Sequence, residues 1–399
     1  MNEIQESLEA AINWIINSKI HNLDKSNNET FGSFNKYYDL LTKSSPYCYT
    51  EITGYAIELL CDLYERTNDS KYLENAKFAG EWIGGMQYNG TDKNAIGSFL
   101  ECFYLPKGPQ AHRSYSFDTA ICIGALSDLF KKTGDNKFLR LASNGVQWLT
   151  DVMQNSNGSF KPLYNLKTKS FLSKAGNLSF LSPKWWKWGE LPGCHHGKIA
   201  LGLLKYYSIE NNPHLLDSVR LLLYWLLSQQ EDKGYFRVNR RRDVSFLHTH
   251  CYATEGLLYA YSLLKDVQFY EAGKKACDWL VKIQRSDGSI PSWSNNNLFP
   301  SVDSSAISQT IRLWSIMYSE TGDKYYYDSI KKALKYLLSL QLILSNSEIS
   351  GGFYLIEFKT KFIKYRIKRL YSWPTIFAIH ALSLANDIQN RKVQRTELW

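Results

Sequence analysis

The chain writes one unit six times, and few folds can absorb that pattern. "YLENAKFAGEWIGGMQ" (72–87), "FLRLASNGVQWLTDVMQ" (138–154), "LLDSVRLLLYWLLSQQ" (215–230), "YEAGKKACDWLVKIQ" (270–284) and "YYDSIKKALKYLLSLQ" (326–341) are versions of the same amphipathic helix. "ESLEAAINWIINSK" (6–19) is a sixth. Trp14, Trp82, Trp148, Trp225, Trp279 and Tyr336 anchor the copies. Each copy leads into a glycine with an aromatic or large apolar residue: "GSF" at 32, 97 and 158, "GYF" at 234, "GSIPSW" at 288 and "GGFY" at 351. A second, more uniformly apolar helix follows, starting near Thr50, Ser116, Cys194, His250, Ser304 and Trp373. Short links such as "TGD" then return the chain to the next first helix.

Six helix pairs that bury one another form either an open solenoid or a closed ring. The sequence starts out of phase, because its first helix completes the pair begun by its last. That predicts closure: an all-α (α/α)6 toroid, one domain over 1–399, with amphipathic helices outside and smooth ones inside. Every glycine-aromatic loop then leads into the N-terminus of an inner helix. All six N-termini open on one end of the ring, where unpaired N–H groups and the positive dipole ends suit an anionic or polar ligand.

The six inner-helix starts give the polar lining of this mouth. They supply Tyr49, Glu51 and Thr53, then His112, Arg113, Tyr115 and Asp118, then Cys194, His195, His196 and Lys198. The fourth supplies His248, His250, Cys251, Tyr252 and Glu255. The fifth and sixth supply Asp303, Ser308, Gln309, Tyr371, Trp373 and Thr375. Aligning the copies on their anchors places Thr53, Thr119, His196 and His250 at equivalent positions. Thr50, Ser116 and Asp303 also read as N-caps, and Glu255 as a buried partner or core hydrogen-bonder.

Charge adds a direction. The formal net charge is +9, and two basic runs, "FRVNRRRD" (236–243) and "KTKFIKYRIKRLYSW" (359–373), precede inner helices. Arg240, Arg241 and Arg242 are therefore expected on the rim, steering an anionic substrate. Because the charge sits in two loops and not in a continuous stripe, nucleic acid is not the expected partner. Trp185, Trp186 and Trp188 in the long third loop are expected to stack on sugar rings. The seven cysteines form no CxxC pair and are odd in number, which reads as reduced thiols in the cytoplasm. The N-terminal stretch has no signal-peptide pattern, and no apolar run is long enough to span a bilayer.

Three families resemble this pattern. Gln154/Gly158/Phe160 and Gln230/Gly234/Phe236 resemble the QW repeats of triterpene cyclases, although the DxDD and DDxxD motifs of that chemistry are absent. "GCHHG" (193–197) resembles the motif of lanthionine synthetase cyclases, which would imply a zinc on Cys194, His195 or His196, and Cys251. The fuller likeness is to the six-hairpin toroids that act on glycans: unsaturated glucuronyl hydrolases, polysaccharide lyases, sugar epimerases and toroid proteins of polysaccharide assembly. "TEITGYAIELL", "HTHCYATEGLLYAY" and "DSSAISQTIRLW" carry that resemblance.

The expectation is therefore a carbohydrate-active enzyme without a cofactor, acting on an acidic, uronate-containing glycan or glycan-lipid. Hydrolysis would use Glu51 and Asp118 on adjacent inner helices. Elimination or epimerisation would use His195, His196 or His250 as base and Tyr252 or Tyr115 as acid, with Arg113 and Lys198 neutralising the uronate. His248, Gln309, Trp373, the three loop tryptophans and the three rim arginines would bind substrate. A zinc-dependent cyclase, a terpene-cyclase-like enzyme and a non-catalytic glycan scaffold are the alternatives.

Overall fold

The structure, a computed structural model, describes residues 3–104, 112–171, 188–238, 244–294, 301–345, 348–359 and 364–390. Six outer helices are α1 (Glu3–Asn17), α3 (Ser70–Gly85), α5 (Asn136–Gln147, continued by a π-turn over Trp148–Met153), α7 (Pro213–Leu227), α9 (Val267–Ile283) and α11 (Lys324–Leu338). Six inner ones are α2 (Thr50–Thr67), α4 (Ser116–Thr133), α6 (Gly197–Glu210), α8 (Leu247–Leu264), α10 (Ser304–Thr321) and α12 (Ser372–Gln389). Each inner helix packs on the next around the ring, and α12 meets α2. Each also packs on the outer helix that follows it, and α12 on α1. The all-α (α/α)6 toroid is thus closed by the pair expected from the sequence.

The reversals from inner to outer helix follow local chemistry. Gly134 and Gly322 end α4 and α10 in the left-handed region, at φ 68° and 73°. Asp69, Asp135, Asn212 and Asp266 then cap the next outer helix, each accepting a backbone N–H two residues on.

The repeated glutamine and glycine are fasteners between neighbouring outer helices. Gln341 Nε2 donates to the carbonyl of Gly351 in its own loop and to that of Ser7 on α1, both at 2.9 Å. Gln87, Gln154, Gln230 and Gln284 make the same double bond, each to its own glycine and to the next outer helix. The glycines leave no alternative residue. Gly351 has φ 109°, and a Cβ there would land on the backbone carbonyl of Ala10. The QW-like pattern is a closure device, which is why it recurs in toroids of different chemistry.

Between the two rings, Trp14, Trp148 and the other anchors are buried. Trp82 and Trp148 still satisfy their indole N–H on the carbonyls of Glu29 and Asn94 in the preceding loops. Short antiparallel strand pairs stitch the mouth loops together, with Tyr49 opposite Cys102, Tyr115 opposite Leu163, Asp303 opposite Ile356 and Tyr371 opposite Tyr37. Thr50 and Ser116 are not caps. Each is the first helical residue, and its hydroxyl donates to a carbonyl of the following loop, Leu100 or Lys161. Asp303 does cap α10, accepting from the N–H groups of Ser305 and Ala306. Among the described residues, no helix is long and apolar enough to cross a membrane.

Candidate active site

The inner N-termini surround a cavity of about 540 Å³. Glu51 enters from α2, Asp118 from α4, His248 from α8, Asp303 from the cap of α10 and Trp373 from α12. The loops add Lys36, Tyr49, Glu101, Arg113, Tyr115, Trp188, Glu190 and Phe246. Of the residues expected in the mouth, Tyr49, Glu51, Arg113, Tyr115, Asp118, Trp188, His248, Asp303 and Trp373 line it. Trp185, Trp186, Arg240, Arg241 and Arg242 lie outside the described residues.

The floor is a bond across the ring axis. Tyr55 on α2 donates to the hydroxyl of Tyr252 on α8, the opposite inner helix, at 2.9 Å, and both rings are buried. Tyr252 therefore stands beneath the cavity and does not line it. Lys198 is deeper still, paired with Glu255 at 3.2 Å, with both side chains almost wholly buried. Lys198 does not line the cavity, and Glu255 pairs with this buried lysine and not with a base of the mouth.

The histidines separate into two groups. His250 lies behind the wall, where its Nδ1 accepts the N–H of Phe236 at 3.2 Å. Thr53, Thr119 and Thr375 do the same for Phe34, Phe99 and Phe353. His196 occupies the corresponding place in the third repeat, against Phe160 and Trp225. The alignment of these positions holds, but it marks the clasp on the glycine-aromatic loop and not the mouth. Burial lowers both His196 and His250 to about 3. His195 is also fully buried, roofed by Trp188 at 4.8 Å and packed on Phe117 at 5.7 Å. None of the three lines the cavity.

His248 does line it. Nδ1 lies 2.7 Å from the Gln309 side-chain amide, placed with its oxygen toward the ring, and 3.2 Å from Ser305 Oγ, which donates to Asp303 Oδ1. With the amide in that orientation both neighbours accept, Nδ1 carries the proton and Nε2 keeps its lone pair. Burial holds the ring's pKa below the ordinary value, so the ring is neutral at pH 7. Gln309 is thus a residue that orients His248 and is not itself part of the cavity lining.

The opposite wall is acidic. Burial raises Glu51 to about 7 against the counter-effect of Lys36 and a hydrogen bond from Tyr55. Burial, then the charges of Glu51 and Glu101, raise Asp118 well above the usual carboxylate range. Burial raises Glu101 as well. Lys36 is half-buried, with its ammonium 4.6 Å from the Tyr49 ring centre and 5.8 Å from that of Trp373. Burial opposes its charge, but Tyr47 and Glu51 outweigh that and keep its pKa raised.

Sequence reasoning missed Lys36, Glu101, Glu190 and Phe246. A signal for the first two was present: both stand two residues beyond the aromatic of a "GSF". Strand alternation would set that residue on the aromatic's own face, so the signal lies in the shared repeat position and not in the strand period. The basic run before α12 is partly paired: Lys364 and Arg366 share Glu357, and Arg369 meets Asp39. The zinc set is not assembled. Among the described residues no group of His, Cys, Asp or Glu can hold a metal, and Cys251 faces Ala306 and Thr310 on α10.

Solved structures similar to this chain belong to proteins that act on sugars. A sugar epimerase from a ruminal bacterium superposes with a TM-score of 0.78 at 17% identity, over 98% of this chain and 99% of that one. Cellobiose 2-epimerase from Bacillus thermoamylovorans gives 0.74 at 14%, over 96% and 98%. An unsaturated glucuronyl hydrolase specific for heparin gives 0.68 at 12%, over 98% of both chains. The chain therefore has the (α/α)6 toroid fold of these enzymes, as its resemblance to glycan-active toroids implied. No family model matches it. An uncharacterised protein of Caenorhabditis elegans is 34% identical over 115 residues, which is 28% of this chain and only 15% of that protein's length.

Proposed function

We propose that this chain is a carbohydrate-active enzyme, one toroid unit, that moves a proton at the carbon next to the carbonyl of an open-chain sugar. The outcome is epimerisation or aldose–ketose isomerisation. The observation that carries this reading is the placement of His248: a buried imidazole lining the cavity, held through Nδ1 by Gln309 and Ser305, on the inner helix opposite that of Glu51.

In this reading Nε2 removes the carbon-bound proton. The C–H electron pair becomes the double bond of an enediol as the carbonyl oxygen takes a proton from neutral Glu51. Lys36 and Arg113 stabilise charge on that oxygen. Return of a proton to the same carbon from the acidic wall inverts it, as the enediol hydroxyl gives its proton back to the Glu51 carboxylate and the carbonyl re-forms; return from His248 to the neighbouring carbon isomerises the sugar, as the other enediol hydroxyl loses its proton to that carboxylate and becomes the new carbonyl. Trp188 and Trp373 are the stacking surfaces. The similar structures named as epimerases support the reading by fold. Seven free, buried thiols support a reducing compartment such as the cytoplasm.

The uronate expectation is not carried forward, because five lining carboxyls face two lining cations. Hydrolysis is the second reading, favoured by Glu51 and Asp118 starting adjacent helices with strongly linked titrations. Incubation with reducing sugars in D2O separates the two. Proton transfer puts deuterium on the carbon beside the carbonyl, and His248→Asn lowers that exchange by about 10²-fold or more. Glycoside cleavage with no exchange would replace the first reading by the second.

A further inference from the structure

We infer that the mouth is built for a sugar that carries a protonated amine. The inference rests on the proposed site and adds its substrate class.

The argument starts from an uncompensated charge. Arg113 pairs with Glu190 at 3.4 Å. Asp303 Oδ1 is occupied by the N–H and O–H of Ser305 and the N–H of Ala306. Among the described residues that leaves Glu51, Glu101 and Asp118 around one ammonium, Lys36. Lys36 rests on aromatic faces and forms no ion pair within 4.0 Å among the described residues. Asp118 is 4% exposed, lines the cavity, and its Oδ2 has no hydrogen-bond partner. A buried carboxylate oxygen without a partner is costly unless a ligand donor completes it.

A cation answers this need and an anion worsens it. Burial and mutual repulsion already hold the three carboxyls above their ordinary range. A uronate would add a further carboxylate to a wall that already resists ionising. A metal ion fits poorly, since the carboxyls do not form a group able to hold one. An ammonium on a sugar ring needs no such convergence. It can donate to Asp118 and Glu101 separately while its ring packs on Trp188 or Trp373, and the walls already hold one alkylammonium by its contacts with Tyr49 and Trp373.

Calorimetric titration of glucosamine, glucose and glucuronate into His248→Asn protein at pH 7 tests this without turnover. Glucosamine should bind at least about tenfold more tightly than glucose, the worth of one hydrogen-bonded charge pair, with glucuronate the weakest. Asp118→Asn should shrink the preference to a few-fold. Glu101→Gln should shrink it too, and replaces the first variant should that one fail to fold. Equal binding of glucose and glucosamine, tighter binding of glucuronate, or a preference indifferent to both variants overturns the inference. Exchange in D2O with no preference for the amine leaves the proton-transfer reading standing. A preference for the amine without exchange by the unmodified protein sinks that reading alone.

Discussion

Glu51→Gln should make the protein more stable and less active at the same time, and the stability gain should grow as pH rises from about 4.5 to about 7 and then hold. The carboxyl ionises at about 7 in the folded chain against an ordinary 4.5. As pH rises, the unfolded state therefore releases this proton first, and folding stability falls between those two values and then levels off. At 1.36 kcal/mol per pH unit of difference, the ionised carboxyl costs the folded state about 3 kcal/mol at pH 8. That is an upper bound, because Glu51 keeps some solvent contact. Glutamine cannot ionise, and it keeps the size of the side chain and one of its acceptor oxygens. With an unfolding entropy of about 2.1 cal/mol/K per residue, a chain of this length gains roughly 3 to 4 °C from 3 kcal/mol. Melting curves followed by circular dichroism at pH 5 and pH 8 should give nearly equal midpoints at pH 5 and a higher midpoint for the variant at pH 8. Exchange activity of the variant at pH 7 should fall by about 10²-fold. Parallel midpoints for the two proteins across the range would show that Glu51 is not held in its neutral form, and with that the assignment of it as acid fails.

Gln341→Ala removes both bonds that tie the last loop to α1, so urea unfolding should register a loss of about 2 kcal/mol; no loss means that the fastener is not holding the seam. His250→Ala leaves the buried Phe236 N–H unpaired and should lower stability by about 1–3 kcal/mol with exchange activity unchanged once folded. Loss of activity in the folded variant would return His250 to the catalytic set. Lys198→Met strands Glu255 without its nearest partner and should destabilise by about 3 kcal/mol in thermal or urea unfolding, more than a surface lysine does; an unchanged midpoint would mean that the pair is not formed.

The architecture was legible because it repeats. Trp anchors, glycine-aromatic loops and "TGD" turns recur in register, so each copy supports the reading of the others. Inner helices expected near Thr50, Ser116 and Ser304 start there, and α8 and α12 start within a few residues of His250 and Trp373. The site was legible only in part. Sequence position placed Glu51, Asp118 and His248 on the correct end of the ring, but a helix start has an inner side and an outer side. His250 stands two residues from His248, and that rotation of about 200° turns it from the funnel to the loop behind. Position in the repeat carried the decisive hint in the opposite direction to the one expected: a place filled by Thr53, Thr119 and Thr375 elsewhere is a place for any hydrogen-bond acceptor. Lys198 and Tyr252 show the complementary error of depth, since each lies further down the axis than the cavity reaches. Charge misled for a different reason. Net charge counts the whole surface, whereas Lys364, Arg366 and Arg369 are spent on Glu357 and Asp39, and the lining itself is acidic.

The bond between Tyr55 and Tyr252 makes the funnel a blind one. A glycan cannot thread through it from face to face, so a long chain can present only its end. Whatever is bound must leave by the route it entered, and a product must clear the mouth before the next molecule arrives. Such a vessel suits a small reducing sugar or the terminal residue of an oligosaccharide, and it rules out cutting a polymer in its middle while sliding along it. The same plug limits the depth of the cavity, with His248 at one side of it and Glu51 at the other.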